Sequence, residues 1–270
     1  MVRKSPEPKT SLYAFMAYYL RFLRMRHRMT QTQVGEIIGC TYSQISKYEA
    51  GTKQLDEKQC ESLDEAWNIG GLFSIMLVYA KWGPDLNWPA RLLRYQIQAS
   101  VLRIFSNNLI PLPFQTEDYA RGLLGAGYAA RLIDDVESAV AKRMEIQARI
   151  LDGDPEIWLV LDEMALRPMG PPEVMREQYN RLLELERLPN VSIRMLPLSA
   201  TPNIGVDGSF WCFELPNRRL AAFSGTALDV GRVIDDQTEV AGVAVRFERI
   251  AARAWSEDQT REHIAKMGEK

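Results

Sequence analysis

The sequence predicts an α+β chain: an all-α head of five helices, then a mixed α/β body. Three observations carry this. Through the first 81 positions apolar residues recur at helical spacing, interrupted by glycines. From 156 to 223 the pattern changes to short runs rich in Val, Ile, Trp and Phe, which read as strands. The charge changes as well. Residues 1–54 hold nine of the 33 basic side chains but only three of the 35 acidic ones, so a basic front precedes an acidic body. The expected division is a head over 1–83, a connector over 84–89 and a body over 90–270.

With 46% hydrophobic and 25% charged residues the chain belongs among folded globular proteins. No apolar run approaches the roughly 18 residues a bilayer span needs. The opening MVRKSPEPKT has charges but no apolar core after them, unlike a signal peptide. Cys40, Cys60 and Cys212 are far apart and odd in number, which fits neither a disulfide framework nor a zinc site. A cytoplasmic location is expected.

Residues 1–10, with Pro6 and Pro8, read as a mobile arm that is either solvated or touches phosphates. A first helix follows over 11–28, capped by Thr10 or Ser11. Leu12, Phe15, Met16, Tyr19, Phe22, Leu23 and Met25 form its apolar stripe, and Arg21, Arg24, Arg26 and Arg28 lie on other faces.

The segment from Thr30 to Gly51 organises the rest. Val34, Ile37, Ile38 and Ile45 change phase at Gly39, so two short helices are expected rather than one long one. Thr30 caps the first, with Gln33 at capping-box spacing. Gly39 supplies the left-handed residue that ends it. Thr41 caps the second, which runs from Tyr42 to about Ala50, and Gly51 closes it. The turn between is about three residues, as in a helix-turn-helix. Ile45 and Tyr48 point inward, leaving Tyr42, Ser43, Gln44, Ser46 and Lys47 outside. Such side chains reach base edges from a helix set in a major groove. Two ordinary core helices are the alternative reading.

The segment resembles the phage-repressor-like helix-turn-helix of the Xre family. The likeness rests on Thr30-Gln31, Val34, Gly39, Thr41, Ile45-Ser46, Glu49 and Gly51. Gly35 departs from it, since the family usually has Ala there. The resemblance implies double-stranded DNA as partner. Tyr42, Ser43 and Lys47 are the expected base contacts. Gln31, Thr41, Gln44, Thr52 and Lys53 are the expected phosphate contacts, which set register without reading sequence.

A fourth helix is expected over 56–69 with Asp56 as cap and Cys60, Leu63, Ala66 and Trp67 inward. Gly70-Gly71 breaks it. A short apolar helix over 72–81 completes the head, stopped by Trp82-Gly83-Pro84. In the body, a helix is expected over 90–105, another after its cap at Thr116, and a third over 134–150. Strands are expected at 157–161, 191–196, 209–213 and 220–223. A helix over 172–187 joins the first two in β-α-β order, and Pro216-Asn217 turns the last two into a hairpin. A helix over 236–254 and a shorter one end the chain.

This half, roughly 90–265, is similar to the effector domain of actinobacterial WhiJ-like, antitoxin-like Xre regulators. The stretches that carry the likeness are Ile110 to Leu112, Gln115 to Arg121, Leu161 to Arg167, Val191 to Pro197 and Gly208-Ser209-Phe210. The chain reads Pro111-Leu112-Pro113-Phe114-Gln115-Thr116 where the group has Pro-Gly-Leu-Leu-Gln-Thr. The resemblance implies a small partner protein encoded nearby, and a homodimer with a small-molecule effector is a further expectation.

No catalytic set, metal site or cofactor is expected. His27 and His263 lie at opposite ends of the chain, and no phosphate-binding glycine loop appears. Asp162-Glu163 reads as a strand-end pair making salt bridges with Arg167, or else as an acid/base pair. Arg121, Arg143 and Arg167 pair with nearby acids or line an anion pocket. Two functions remain open: a sequence-specific transcriptional regulator, and an antitoxin-like protein that neutralises a small partner and binds DNA to regulate itself.

Overall fold

A computed structural model describes residues 5–82, 87–216, 218–225 and 231–269. The chain forms two compact units, Met1–Pro89 and Ala90–Lys270. The expected stop at Gly83-Pro84 and the turn residue Asn217 lie outside the described residues.

The first unit holds α1 (Leu12–Arg26), α2 (Gln31–Ile37), α3 (Tyr42–Glu49), α4 (Glu57–Trp67) and α5 (Leu72–Trp82). Three of them start with the same local device. Thr30 with Gln33, Thr41 with Gln44 and Asp56 with Gln59 form reciprocal capping boxes, which satisfy the free N–H groups of α2, α3 and α4. Helix α5 takes its cap from tertiary structure. The buried Asp64 carboxylate of α4 accepts from Phe73 N at 2.8 Å, Ser74 N at 2.9 Å and Ser74 Oγ at 2.7 Å. Asp64 therefore faces inward, and Ala66, expected inside, is exposed. Leu20, Val34, Ile45, Cys60, Leu63 and Phe73 form the centre of this core.

Helix α1 is turned differently from its expected stripe. It buries Ala14, Met16, Ala17, Leu20 and Leu23, while Phe22 and Met25 are exposed. Arg24 is the physical reason, because its inward ion pair with Glu49 fixes the rotation of the helix. The part of the arm from Ser5 onward lies along α1 rather than free, with Pro6 against Gly51.

The second unit is a six-stranded mixed sheet with helices on both faces. Its elements are α6 (Trp88–Gln98), β1 (Val101–Ser106), α7 (Glu117–Ala129), α8 (Val136–Leu151), β2 (Glu156–Asp162), α9 (Pro172–Leu185), β3 (Val191–Leu196), β4 (Phe210–Glu214), β5 (Leu220–Gly225), β6 (Gly231–Ile234), α10 (Gln237–Ala251) and α11 (Glu257–Gly268). The strand order is β3-β2-β1-β4-β5-β6. Strands β1, β2 and β3 are parallel, and β4, β5 and β6 add on antiparallel.

The single helix expected over 90–105 does not form: α6 ends at Gln98, and Val101–Ser106 form β1, a central strand of the sheet. Leu102 and Ile104 face one layer and Phe105 the other, so the strand is buried on both sides and shows no clean alternation. On one face Leu102, Ile104, Leu159 and Ile193 pack with Tyr119, Tyr179, Leu182 and Ile264. On the other, Phe105, Val160, Phe210 and Cys212 pack with Phe247 and Ile250 of α10.

Residues 110–116 enter α7 through a short 3-10 turn, Leu112–Phe114. Its prolines carry no N–H, and three glutamines clasp the segment. Gln115 Nε2 donates to Ile110 O at 2.7 Å. Gln147 Nε2 donates to Leu112 O and Gln115 O at 2.8 and 2.9 Å. Gln178, fully buried, donates to Phe114 O at 2.7 Å and accepts from Thr116 N at 2.8 Å. Among the described residues, no helix is long and apolar enough to cross a membrane.

Candidate nucleic-acid interface

The interface is built outward from the turn between α2 and α3. Gly39 takes φ +65°, the left-handed conformation that ends α2. The chain then folds back so tightly that Cys40 N donates to Gly35 O at 2.8 Å. A Cβ at Gly35 would stand 2.4 Å from the Cys40 carbonyl oxygen. The glycine is thus the condition for this close approach, not merely a weak helix former.

Behind α3, Arg24 and Glu49 form a two-pronged ion pair, Nε to Oε1 and Nη2 to Oε2, the latter at 3.1 Å. Arg24 Nη1 also donates to Met29 O at 3.1 Å, and Gln31 Nε2 donates to Glu49 Oε2 at 2.7 Å. Arg24, expected off the apolar stripe of its helix, is instead turned inward and holds α1 to α3. Sequence reasoning missed this pair. The buried Glu49, one helical turn beyond the buried Ile45, was the available signal.

On its outer side α3 presents Tyr42, 56% exposed, with Ser43 and Lys47 also exposed. None of the three makes a side-chain hydrogen bond among the described residues. The residues expected at phosphates are partly engaged in holding the helix ends. Thr41 and Gln44 bond each other in the capping box, leaving the Gln44 amide N–H groups available. Gln31 is tied to Glu49 through one N–H. Thr52 Oγ1 donates to Lys47 O at 3.2 Å, closing the loop after α3. Lys53 is exposed, with Nζ 5.0 Å from the centre of the Tyr48 ring. Tyr48 is itself buried and accepts from Gln59 Nε2 at 3.0 Å. All eight residues thus belong to one helix, its cap, its following loop and the start of α2.

The acidic and basic residues singled out in the second unit separate into two groups. Asp162 accepts from Met164 N at 3.0 Å, and burial raises its pKa. Glu163 accepts from Leu198 N at 2.8 Å and stands 3.9 Å from His263 Nε2. Both carboxylates are thus engaged in local structure rather than paired with Arg167, which donates to the Met164 carbonyl instead. Arg121 does pair with acids, binding Glu117, Asp118 and Glu137. Arg143 donates to Gln115 Oε1 at 3.1 Å.

Two family models match the chain. Residues 20–69 match a helix-turn-helix family, which points to a DNA-binding transcription regulator. Residues 89–266 match a domain of unknown function, DUF5753. No curated protein matches the sequence. The second match spans more than half of the chain, and the protein therefore belongs to the DUF5753 family, with a helix-turn-helix domain in front.

Proposed function

We propose that the protein is a cytoplasmic, sequence-specific transcription regulator that acts by binding and not by catalysis. Helix α3 reads the major groove, and residues 90–270 answer to a partner protein or a ligand. One contrast carries this reading. The polar residues behind and at the ends of α3 are spent on fixing it, whereas Tyr42, Ser43 and Lys47 on its outer side are exposed and uncommitted among the described residues. Lys47 suits guanine O6 and N7, Ser43 tolerates several bases, and the Tyr42 ring suits a thymine methyl. Gln31, Thr41, Gln44, Thr52 and Lys53 surround them as phosphate contacts.

One such head covers little DNA, so tight binding calls for two. The hypothesis is a two-fold homodimer on half-sites about 34 Å apart, one turn of the duplex. The resemblance of residues 90–265 to antitoxin-like regulators supports a small partner protein as the regulatory input, with DNA binding then autoregulatory. Selection from a random duplex pool at low salt tests the reading. The expected result is one enriched, two-fold symmetric site. Recovery of unrelated sequences would sink the sequence-specific reading, and a monomer both free and on DNA would sink the dimer.

A further inference from the structure

Helices cover the two faces of the sheet unequally. One face packs with residues of α6, α7, α8, α9 and α11, and the other with α10 alone among the described α-helices. Helix α10 crosses its face on a diagonal. It starts beside β5, where Gln237 Nε2 donates to Leu220 O at 3.0 Å. The turn after it reaches the far end of β3, where Trp255 N donates to Met195 O at 2.8 Å. The corner at the start of β2 and β3 is left uncovered. The register sets Ser192, Trp158 and Arg103 side by side there, on β3, β2 and β1 and on the α10 face. Trp158 is 48% exposed, in a strand whose other apolar residues are buried. Its neighbours bound the corner. Arg103 stands 3.9 Å from Glu248 of α10, Arg194 donates to the carbonyls of Ala254 and Trp255 at 3.0 and 2.9 Å, and Ser192 donates to Glu257 of α11.

The two flanks of α10 differ as well. On one, Glu239, Arg246 and Arg253 bind Arg232, Asp207 and the Pro202 carbonyl, which ties the helix to β6 and to the loop before β4. The opposite flank, on the side of Glu248 and the open corner, carries Ala241, Val245 and Ala252, all exposed. Val245 is 52% exposed. Arg249, one turn after Val245, is exposed too, and so is Glu156, two residues before Trp158 on the same face of β2. Neither charge makes a side-chain hydrogen bond or ion pair among the described residues.

These residues form two complementary pairs. Glu156 and Trp158, at i and i+2 on a strand, are about 7 Å apart. Val245 and Arg249, at i and i+4 on a helix, are about 6 Å apart along its axis. A bulky aromatic beside an acid is thus presented at nearly the spacing of a small aliphatic beside a base, on the same side of one unit. A surface that meets its own copy needs this, because it must carry both a knob and its hole, and both signs of charge. We infer that the α10 face of residues 90–270 docks on a second copy of itself about a two-fold axis. Trp158 of each protomer seats on Ala241 and Val245 of the other, and Glu156 meets Arg249. The inference rests on the homodimer proposed above and names the surface that forms it.

Sedimentation velocity of the full chain without DNA tests this apart from any reading of DNA. A dimer is expected at micromolar concentration. Trp158→Ala and Val245→Arg each weaken it about thirtyfold or more, as loss of a central contact does. Both positions are half-exposed, and far-UV circular dichroism checks that the variants fold. Glu156→Arg or Arg249→Glu alone sets like charges together and weakens the dimer about tenfold. The two combined restore it, a rescue that a role within one protomer would not give. A dimer indifferent to these substitutions, or a double variant without rescue, would overturn the surface and leave the homodimer standing. A monomeric parent would overturn both and leave the corner to a different partner.

Discussion

Arg24 and Glu49 meet in a two-pronged ion pair that ties the end of α1 to the end of α3, with the Glu49 side chain only 2% exposed. Gln31 adds a third contact from the start of α2. One carboxylate therefore gathers the three helices that set how α3 is presented.

Removing one partner of this pair should be expensive. Arg24→Met leaves the Glu49 carboxylate buried against Gln31 alone, and a loss of about 3–5 kcal/mol is expected. Replacing both residues, by Arg24→Met with Glu49→Leu, should recover most of that loss. Urea unfolding of the two variants measures this. A single variant as stable as the parent would show that the pair does not hold the head together.

Gly35→Ala separates two opposed effects. Helix propensity alone favours Ala by about 1 kcal/mol. The close Cys40 carbonyl opposes it, since the added methyl would meet backbone at 2.4 Å. Overpacking of this kind costs about 1–3 kcal/mol, so a net loss of stability is expected. Thermal unfolding gives the sign directly, and a stabilised variant would mean the α2–α3 turn is looser than described.

Gln178 anchors the segment that enters α7. Gln178→Leu preserves bulk but leaves Phe114 O and Thr116 N without their partner. Each stranded group costs about 1–3 kcal/mol. The expected outcome is a marked fall in the unfolding temperature, together with faster amide exchange at Thr116 measured by hydrogen–deuterium exchange. Unchanged exchange there would remove the glutamine from this role.

How much of this could be read in advance follows from how local each signal is. The helix pair from Thr30 to Gly51 was legible because its caps, turn glycine and inward Ile45 lie within a few residues of one another. The same holds for Asp56 as cap of α4 and for the strand-helix-strand passage from β2 to β3. Strand β1 was not legible. Its apolar residues serve two faces, so their spacing fits a helix continuing from α6 as well as it fits a central strand. Arg24 reads as a residue off the apolar stripe, and its inward pairing gives no local signal, because its partner lies 25 residues away. Gln178 gives no sequence signal, since the groups it satisfies are more than 60 residues distant. Period alone puts Tyr42, Ser43 and Lys47 on the outer side of α3, and there they are exposed, because Ile45 and Tyr48 on the opposite side are buried.

Binding of the parent, Lys47→Ala and Lys53→Ala proteins to a selected duplex and all its single-base variants tests the central claim most directly. Lys47→Ala should lose about 1–3 kcal/mol at one base pair and tolerate other bases there, while Lys53→Ala weakens every sequence alike and lowers the salt dependence. A uniform loss for Lys47→Ala, or a parent protein indifferent to sequence, would contradict the assignment of α3 as the reading element.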